Sequence, residues 1–119
     1  MPIGTNAPFE DPEVLNVGGS ALEGTIFITT TFTPEWADRF QRKYGYIPDN
    51  IAAKHFDGMM LTAEAIRRGG YSGEGIREAL NGIQEYDGAQ GKLTNNGQRE
   101  WKPGPSVKAI RDGKFVTLQ

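Results

Sequence analysis

The spacing of hydrophobic positions along this chain changes from two residues to four, and later returns to two. The stretch EGTIFITTTF at residues 23–32 is rich in Ile, Phe and Thr and predicts a strand. Trp36, Phe40 and Tyr44 then follow at intervals of four and form one apolar stripe on a charged segment. This stripe predicts a helix that begins after Thr33 and ends at Gly45.

Two further helices are predicted after this one. The first begins near Pro48–Asp49 and ends at Gly69–Gly70, and the second begins after Ser72. We expect the first of them to bury the apolar positions that share one face of its 3.6-residue period, namely Ala52, Phe56, Met59, Met60, Ala63 and Ile66. We expect the second to bury Ile76, Ala79, Leu80 and Ile83.

The remaining segments read as strands and turns. Asp11–Pro12 predicts one extra helical turn near the start of the chain. Asn96–Gly97 predicts a two-residue hairpin, and Asp112–Gly113 predicts a turn between the last two strands. Three helices with a few short strands indicate an α/β or an α+β fold.

Composition excludes several function classes. The chain has 119 residues and a net charge of −2, so it lacks the basic surface that nucleic acid requires. It contains no cysteine, which excludes disulfides, thiol nucleophiles and thiolate metal sites. No segment approaches the roughly 18 apolar residues of a membrane span. The first residues have no basic and apolar regions of the kind that mark a signal peptide.

The only histidine, His55, lies beside Phe56 and Asp57 on a predicted helix. It has no second histidine or cysteine with which to bind a metal, so we expect a structural or solvent-facing role and no metal site. We expect Asp57 to accept a hydrogen bond from a neighbouring loop. No nucleophile, base and oxyanion set can be assembled, and we therefore predict neither an enzyme nor a cofactor.

Several short motifs occur in an order that resembles the C-terminal third of type I periplasmic solute-binding proteins, of the leucine/isoleucine/valine-binding type, which serve ABC importers. The matching residues are Leu22-Glu23-Gly24, Tyr44-Gly45 with Pro48, Phe56-Asp57-Gly58, Ile76 to Leu80, Gly88 with Gly91 and Asn96-Gly97, and Asp112 to Val116. The chain departs from the family pattern at Thr94-Asn95, where Phe-Asp is usual, and at Gly58, where Ala is usual.

This resemblance implies a partial periplasmic-binding-protein-like fold with pieces of both lobes. By resemblance, residues 1–28 belong to the second lobe, residues 29–32 form a crossover, residues 33–100 belong to the first lobe, and residues 101–119 return to the second. A truncated chain of this kind, lacking an N-terminal region, would explain why no export sequence is seen.

The resemblance also implies a function. The full-length protein would bind an amino acid of the branched-chain type or a small organic acid, deliver it to an ABC importer permease, and lie in the periplasm or on a lipid anchor outside the cell. Asn6 matches a polar position facing the ligand ammonium, and Phe56 matches an aromatic wall of the cleft. Core packing is the alternative for Phe56. The alternative for the whole chain is a free-standing interaction domain that has lost solute binding. We expect this chain alone to form a homodimer or a higher oligomer.

Overall fold

The computed structural model describes residues 4–5 and 11–118 and divides the chain into two compact units. We call them the terminal unit, comprising Met1–Thr31 and Pro105–Gln119, and the central unit, Phe32–Gly104. The boundaries between lobes that the sequence resemblance implies remain a prediction. Each unit is described by itself below.

The terminal unit is built on a four-stranded sheet with the order β1-β2-β6-β7. Strands β1 and β2 are parallel, and the other pairs are antiparallel. Helix α1 and a short 3-10 helix lie between β1 and β2 in the sequence. The bounds are β1 Gly4–Thr5, α1 Pro12–Gly18, the 3-10 helix Gly19–Leu22, β2 Ile26–Thr30, β6 Pro105–Arg111 and β7 Lys114–Thr117.

Alternating side chains of this sheet are buried. Phe27 and Ile110 are almost fully enclosed, and the Phe27 ring meets the Phe115 ring edge-on at 5.6 Å between centroids. The predicted turn between β6 and β7 is confirmed: Asp112 and Gly113 both have positive φ, at 52° and 66°, as a tight hairpin turn requires. The Glu23 carboxylate accepts the Asp112 backbone N–H at 2.9 Å and braces this turn.

The central unit combines three helices with a three-stranded antiparallel sheet of order β3-β4-β5. Each helix begins where a side-chain oxygen of Thr33, Asp49 or Ser72 accepts a backbone N–H from the first turn, as the sequence predicted. The bounds are α2 Pro34–Tyr44, α3 Asn50–Gly69, α4 Gly73–Gly82, β3 Glu85–Gly88, β4 Gly91–Asn95 and β5 Trp101–Pro103.

The buried face of α3 differs from the predicted one. The structure buries Ala53, Asp57, Leu61 and Ala65. The face that we expected to be buried is largely open, with Met59 72% and Met60 43% exposed. Small alanines permit close packing, and Asp57 binds a distant turn, so the less bulky face of the helix points inward. Helix α3 therefore carries apolar side chains on two opposite faces.

The predicted two-residue hairpin at Asn96–Gly97 is also wrong in length. Strands β4 and β5 do form a hairpin, but residues 96–100 make a five-residue loop closed by the Asn96 N–H, which donates to the Glu100 carbonyl at 3.1 Å. The tight turn of this sheet lies instead at Ala89–Gln90, between β3 and β4.

Within the described residues the chain holds four α-helices and two small sheets, and the predicted class, a partial periplasmic-binding-protein-like α/β fold, is confirmed. The extra helical turn near the start is α1, where the Asp11 side chain accepts the Glu13 N–H at 2.8 Å. In the described part of the chain, no helix combines the length and the apolar character of a membrane span.

Candidate functional site

The three consecutive residues His55, Phe56 and Asp57 have three different environments. His55 is exposed, and its Nδ1 lies 2.9 Å from the carbonyl oxygen of Ile51 one turn earlier in the same helix. Phe56 is 40% exposed and lines a surface groove. Asp57 is 1% exposed and faces the β3–β4 turn. Of the three residues, only Phe56 lines the groove.

Asp57 fastens α3 to the β3–β4 hairpin. Its carboxylate accepts the backbone N–H of Ala89 at 2.5 Å, the backbone N–H of Gln90 at 2.9 Å and the Gln90 side-chain amide at 3.2 Å. This confirms that Asp57 accepts hydrogen bonds from a loop. Burial first, and then the negative charge of Asp57, raises the pKa of the nearby Tyr86 hydroxyl. Asp57 thus acts as a structural brace.

The groove beside Phe56 lies between α2 and α3 and has a volume of about 380 Å³. Its walls are mostly aromatic because the α2 stripe meets the exposed edge of α3. The Trp36 ring lies 5.7 Å from Phe56 and 5.2 Å from Phe40 between centroids, and Phe40 lies 4.6 Å from Tyr44. Trp36 is 5% exposed and anchors the groove to the core. Offset and tilted rings of this kind suit an apolar or aromatic guest.

Two cations border the aromatic walls. Arg39 and Lys43 belong to α2 and line the groove, and the Lys43 Nζ lies 5.3 Å from the centre of the Tyr44 ring. None of the residues that line the groove is acidic. The groove is therefore suited to a molecule with an apolar body and a negative group.

Of the two ligand-binding residues predicted from the resemblance, the structure places one. Phe56 forms part of the groove wall, whereas Asn6 lies outside the described residues. Among the described side chains, no three acidic or histidine groups come together in a way that would hold a metal ion.

Comparison with known proteins identifies the fold. No protein-family model and no curated protein sequence matches the chain. Solved structures do match. The leucine-binding protein LivK of Thermotoga maritima has a TM-score of 0.87 and 24% identity, over 98% of this chain and 36% of that one.

The chain has the fold of ABC-transporter substrate-binding proteins. LivJ of Streptococcus pneumoniae, solved with isoleucine, has a TM-score of 0.80, 20% identity and coverage of 98% of this chain and 37% of its own. A Rhodopseudomonas palustris solute-binding protein, solved with benzoate, has a TM-score of 0.77 and 16% identity, with coverage of 99% and 35%. The chain therefore spans a little over a third of the length of such proteins. These similarities lend no support to the alternative of a self-associating interaction domain.

Sequence reasoning found Phe56 but did not find Arg39 and Lys43. The segment that holds both was described only as charged, and neither residue was assigned a role. The signal that was present is their spacing, since each lies three residues after an aromatic member of the stripe, on the flank that α3 approaches.

Proposed function

We propose that this chain forms part of a substrate-binding protein that captures an amino acid or a small carboxylate for an ABC importer. The observation that carries the proposal is the fold match over 98% of the chain to a leucine-binding protein. In this proposal the central unit supplies part of one lobe of the full-length protein, and the terminal unit supplies part of the other.

Within this proposal Phe56 forms an apolar wall of the solute site, and Asn6, which the sequence resemblance matches to a ligand-facing position, offers a polar group to the solute. The partly exposed ring of Phe56 supports this role, because a ring used only for packing would be covered more completely. The proposal also places the full-length protein outside the cytoplasmic membrane, where it meets the importer permease.

The test is a chimera in which this chain replaces the matching part of the T. maritima leucine-binding protein. Calorimetric titration with leucine, isoleucine and benzoate should give saturable binding of at least one of them. Phe56→Ala should weaken that binding by about tenfold or more, because a large apolar contact is lost. The matched control, His55→Ala, should leave it unchanged. A folded chimera that binds none of the panel, or binds equally well without the Phe56 ring, would contradict the proposal.

A further inference from the structure

A second cavity, of about 340 Å³, lies in the central unit between α4 and the hairpin of β4 and β5. None of its lining residues belongs to the groove at Phe56. Ile76 and Leu80 of α4 and Trp101 of β5 provide apolar and aromatic surface. Arg77, Asn81 and Arg99 add polar groups. Its volume is at the lower end of the range for small-molecule sites.

The hairpin side of this cavity is held in place by hydrogen bonds. The Asn95 side-chain amide donates to the carbonyls of Leu80 and Ile83 at 3.2 and 3.1 Å, which joins the end of α4 to β4. The Asn96 side-chain oxygen accepts the Gln98 N–H at 2.8 Å, within the loop that the Asn96 N–H closes. The cavity wall is thus preorganised by the chain itself.

Arg99 has a backbone conformation that is unusual for a large side chain. Its φ is 66°, in the left-handed region that favours glycine. No carboxylate among the described residues forms an ion pair with it, whereas Arg77 has one exposed partner, Glu74, at 3.4 Å. The exposed Arg99 side chain therefore lines the cavity without a carboxylate partner among the described residues.

The charge of the lining indicates the kind of ligand. Two guanidinium groups and two carboxamides line the cavity, and no acidic residue does. A guanidinium matches the planar, two-oxygen geometry of a carboxylate, and an indole face favours a flat apolar ring. From these features we infer that the cavity binds a small aromatic carboxylate, with its carboxylate at Arg99 and Arg77 and its ring against Trp101. This site is separate from the solute site proposed above.

The test is an NMR titration of the 15N-labelled chain with benzoate, compared with benzamide, its uncharged isostere, and with acetate, which has no ring. Benzoate should shift the amide signals of residues 76–81 and 95–101 in a saturable manner, with a dissociation constant in the millimolar range. Benzamide and acetate should each bind about tenfold more weakly, since one lacks the charge and the other lacks the ring.

The decisive variant is Arg99→Gly, because glycine accepts the positive φ and leaves the loop intact while the guanidinium is removed. It should weaken benzoate binding by about tenfold. Arg99→Lys keeps the positive charge but loses the planar guanidinium that can donate two parallel hydrogen bonds to a carboxylate. This variant should weaken benzoate binding by a smaller factor. The matched control is Arg42→Gln, an exposed arginine in the last turn of α2, which should change nothing.

Three results would overturn the inference. Benzoate shifts confined to the Trp36 and Phe56 groove would place the ligand elsewhere. Equal affinity for benzoate and benzamide would remove the role of the arginines. Unchanged binding in Arg99→Gly, with the remaining amide spectrum preserved, would remove the role of Arg99.

Discussion

Replacing the buried Asp57 with alanine should destabilise the chain more than a substitution at any of the exposed positions around it. The carboxylate is buried and accepts three hydrogen bonds, from the two backbone N–H groups of Ala89 and Gln90 and from the Gln90 side chain. Ala89 and Gln90 are themselves buried, so their N–H groups have no ready access to water once the acceptor is removed.

The expected magnitude follows from these contacts. A hydrogen bond to a charged acceptor contributes about 1.5–3 kcal/mol, and an unsatisfied buried N–H costs about 1–3 kcal/mol. Since local relaxation recovers part of this loss, we expect Asp57→Ala to lower the free energy of unfolding by about 3–5 kcal/mol. Asp57→Asn should cost about 2 kcal/mol, because one oxygen acceptor remains while the amide NH2 faces an N–H donor.

Urea unfolding followed by far-ultraviolet circular dichroism measures this change, and hydrogen exchange at Ala89 and Gln90 localises it. The matched control is His55→Ala, two residues earlier and exposed, which should change the free energy of unfolding by less than about 0.5 kcal/mol. If Asp57→Ala left both the unfolding midpoint and the amide protection at Ala89 and Gln90 unchanged, Asp57 would not stabilise the contact between α3 and the β3–β4 turn.

Two further predictions concern the same unit. Gly88→Ala should lower the free energy of unfolding by about 1–3 kcal/mol, because the new Cβ would lie 2.6 Å from Asp57 Cγ. Urea unfolding should show a smaller loss when the same substitution is made in the Asp57→Ala variant. An equal loss in both backgrounds would show that Asp57 is not the group with which the new Cβ collides. Hydrogen bonds from Arg67 and Arg68 lower the pKa of Glu64 from 4.5 to about 2. The ionised Glu64 carboxylate should therefore stabilise the folded chain fully above pH 4.5, and this stabilisation should be lost as the pH falls towards 2. A 13C carboxyl titration should find that low midpoint, and the double variant Arg67→Gln/Arg68→Gln should return it towards 4.5; a parent midpoint near 4.5 would contradict the ion pairs.

Helix boundaries were predictable from sequence because they depend on local chemistry. Thr33, Asp49 and Ser72 each satisfy a backbone N–H within the next three residues, so the signal and its effect lie side by side. The turn at Asp112–Gly113 was predictable for the same reason, since its residue types suit positive φ.

Hydrophobic periodicity predicted the wrong buried face of α3, although a hydrogen bond from a loop to Asp57 was expected, because the loop lies 32 residues further along the chain. The Asp57 carboxylate must reach the Ala89 N–H, and this turns Ala53 and Leu61 inward and leaves Met59 and Met60 outside. Hydrophobic periodicity assigns the bulkier apolar face to the core, and it carries no information about a buried carboxylate that binds a distant turn.

The candidate site was half predictable. Phe56 came from a resemblance in sequence, and its exposed edge is consistent with a ligand role. Arg39 and Lys43 were missed because their position beside Phe56 depends on how α2 packs against α3, which no local pattern encodes. The β4–β5 loop was predicted from Asn96–Gly97 to have two residues, but it has five. Within this loop the Asn96 side-chain oxygen accepts the backbone N–H groups of Gln98 and Glu100.

The open face of α3 leads to the central proposal, which is that this chain forms part of a longer polypeptide with the fold of the substrate-binding proteins. A helix with apolar side chains on opposite faces is normally covered on both, yet Met59 and Met60 are exposed. The structures that share this fold have nearly three times as much polypeptide. In this account the additional polypeptide covers the open face.

The most direct test uses a soluble paramagnetic agent and the methyl signals of Met59 and Met60, measured in this chain alone and in the chimera with the T. maritima leucine-binding protein. The account predicts strong broadening of both methyl signals in the chain alone and clear protection in the chimera. Equal broadening in a folded chimera would show that the rest of the fold does not cover this face, and would contradict the account.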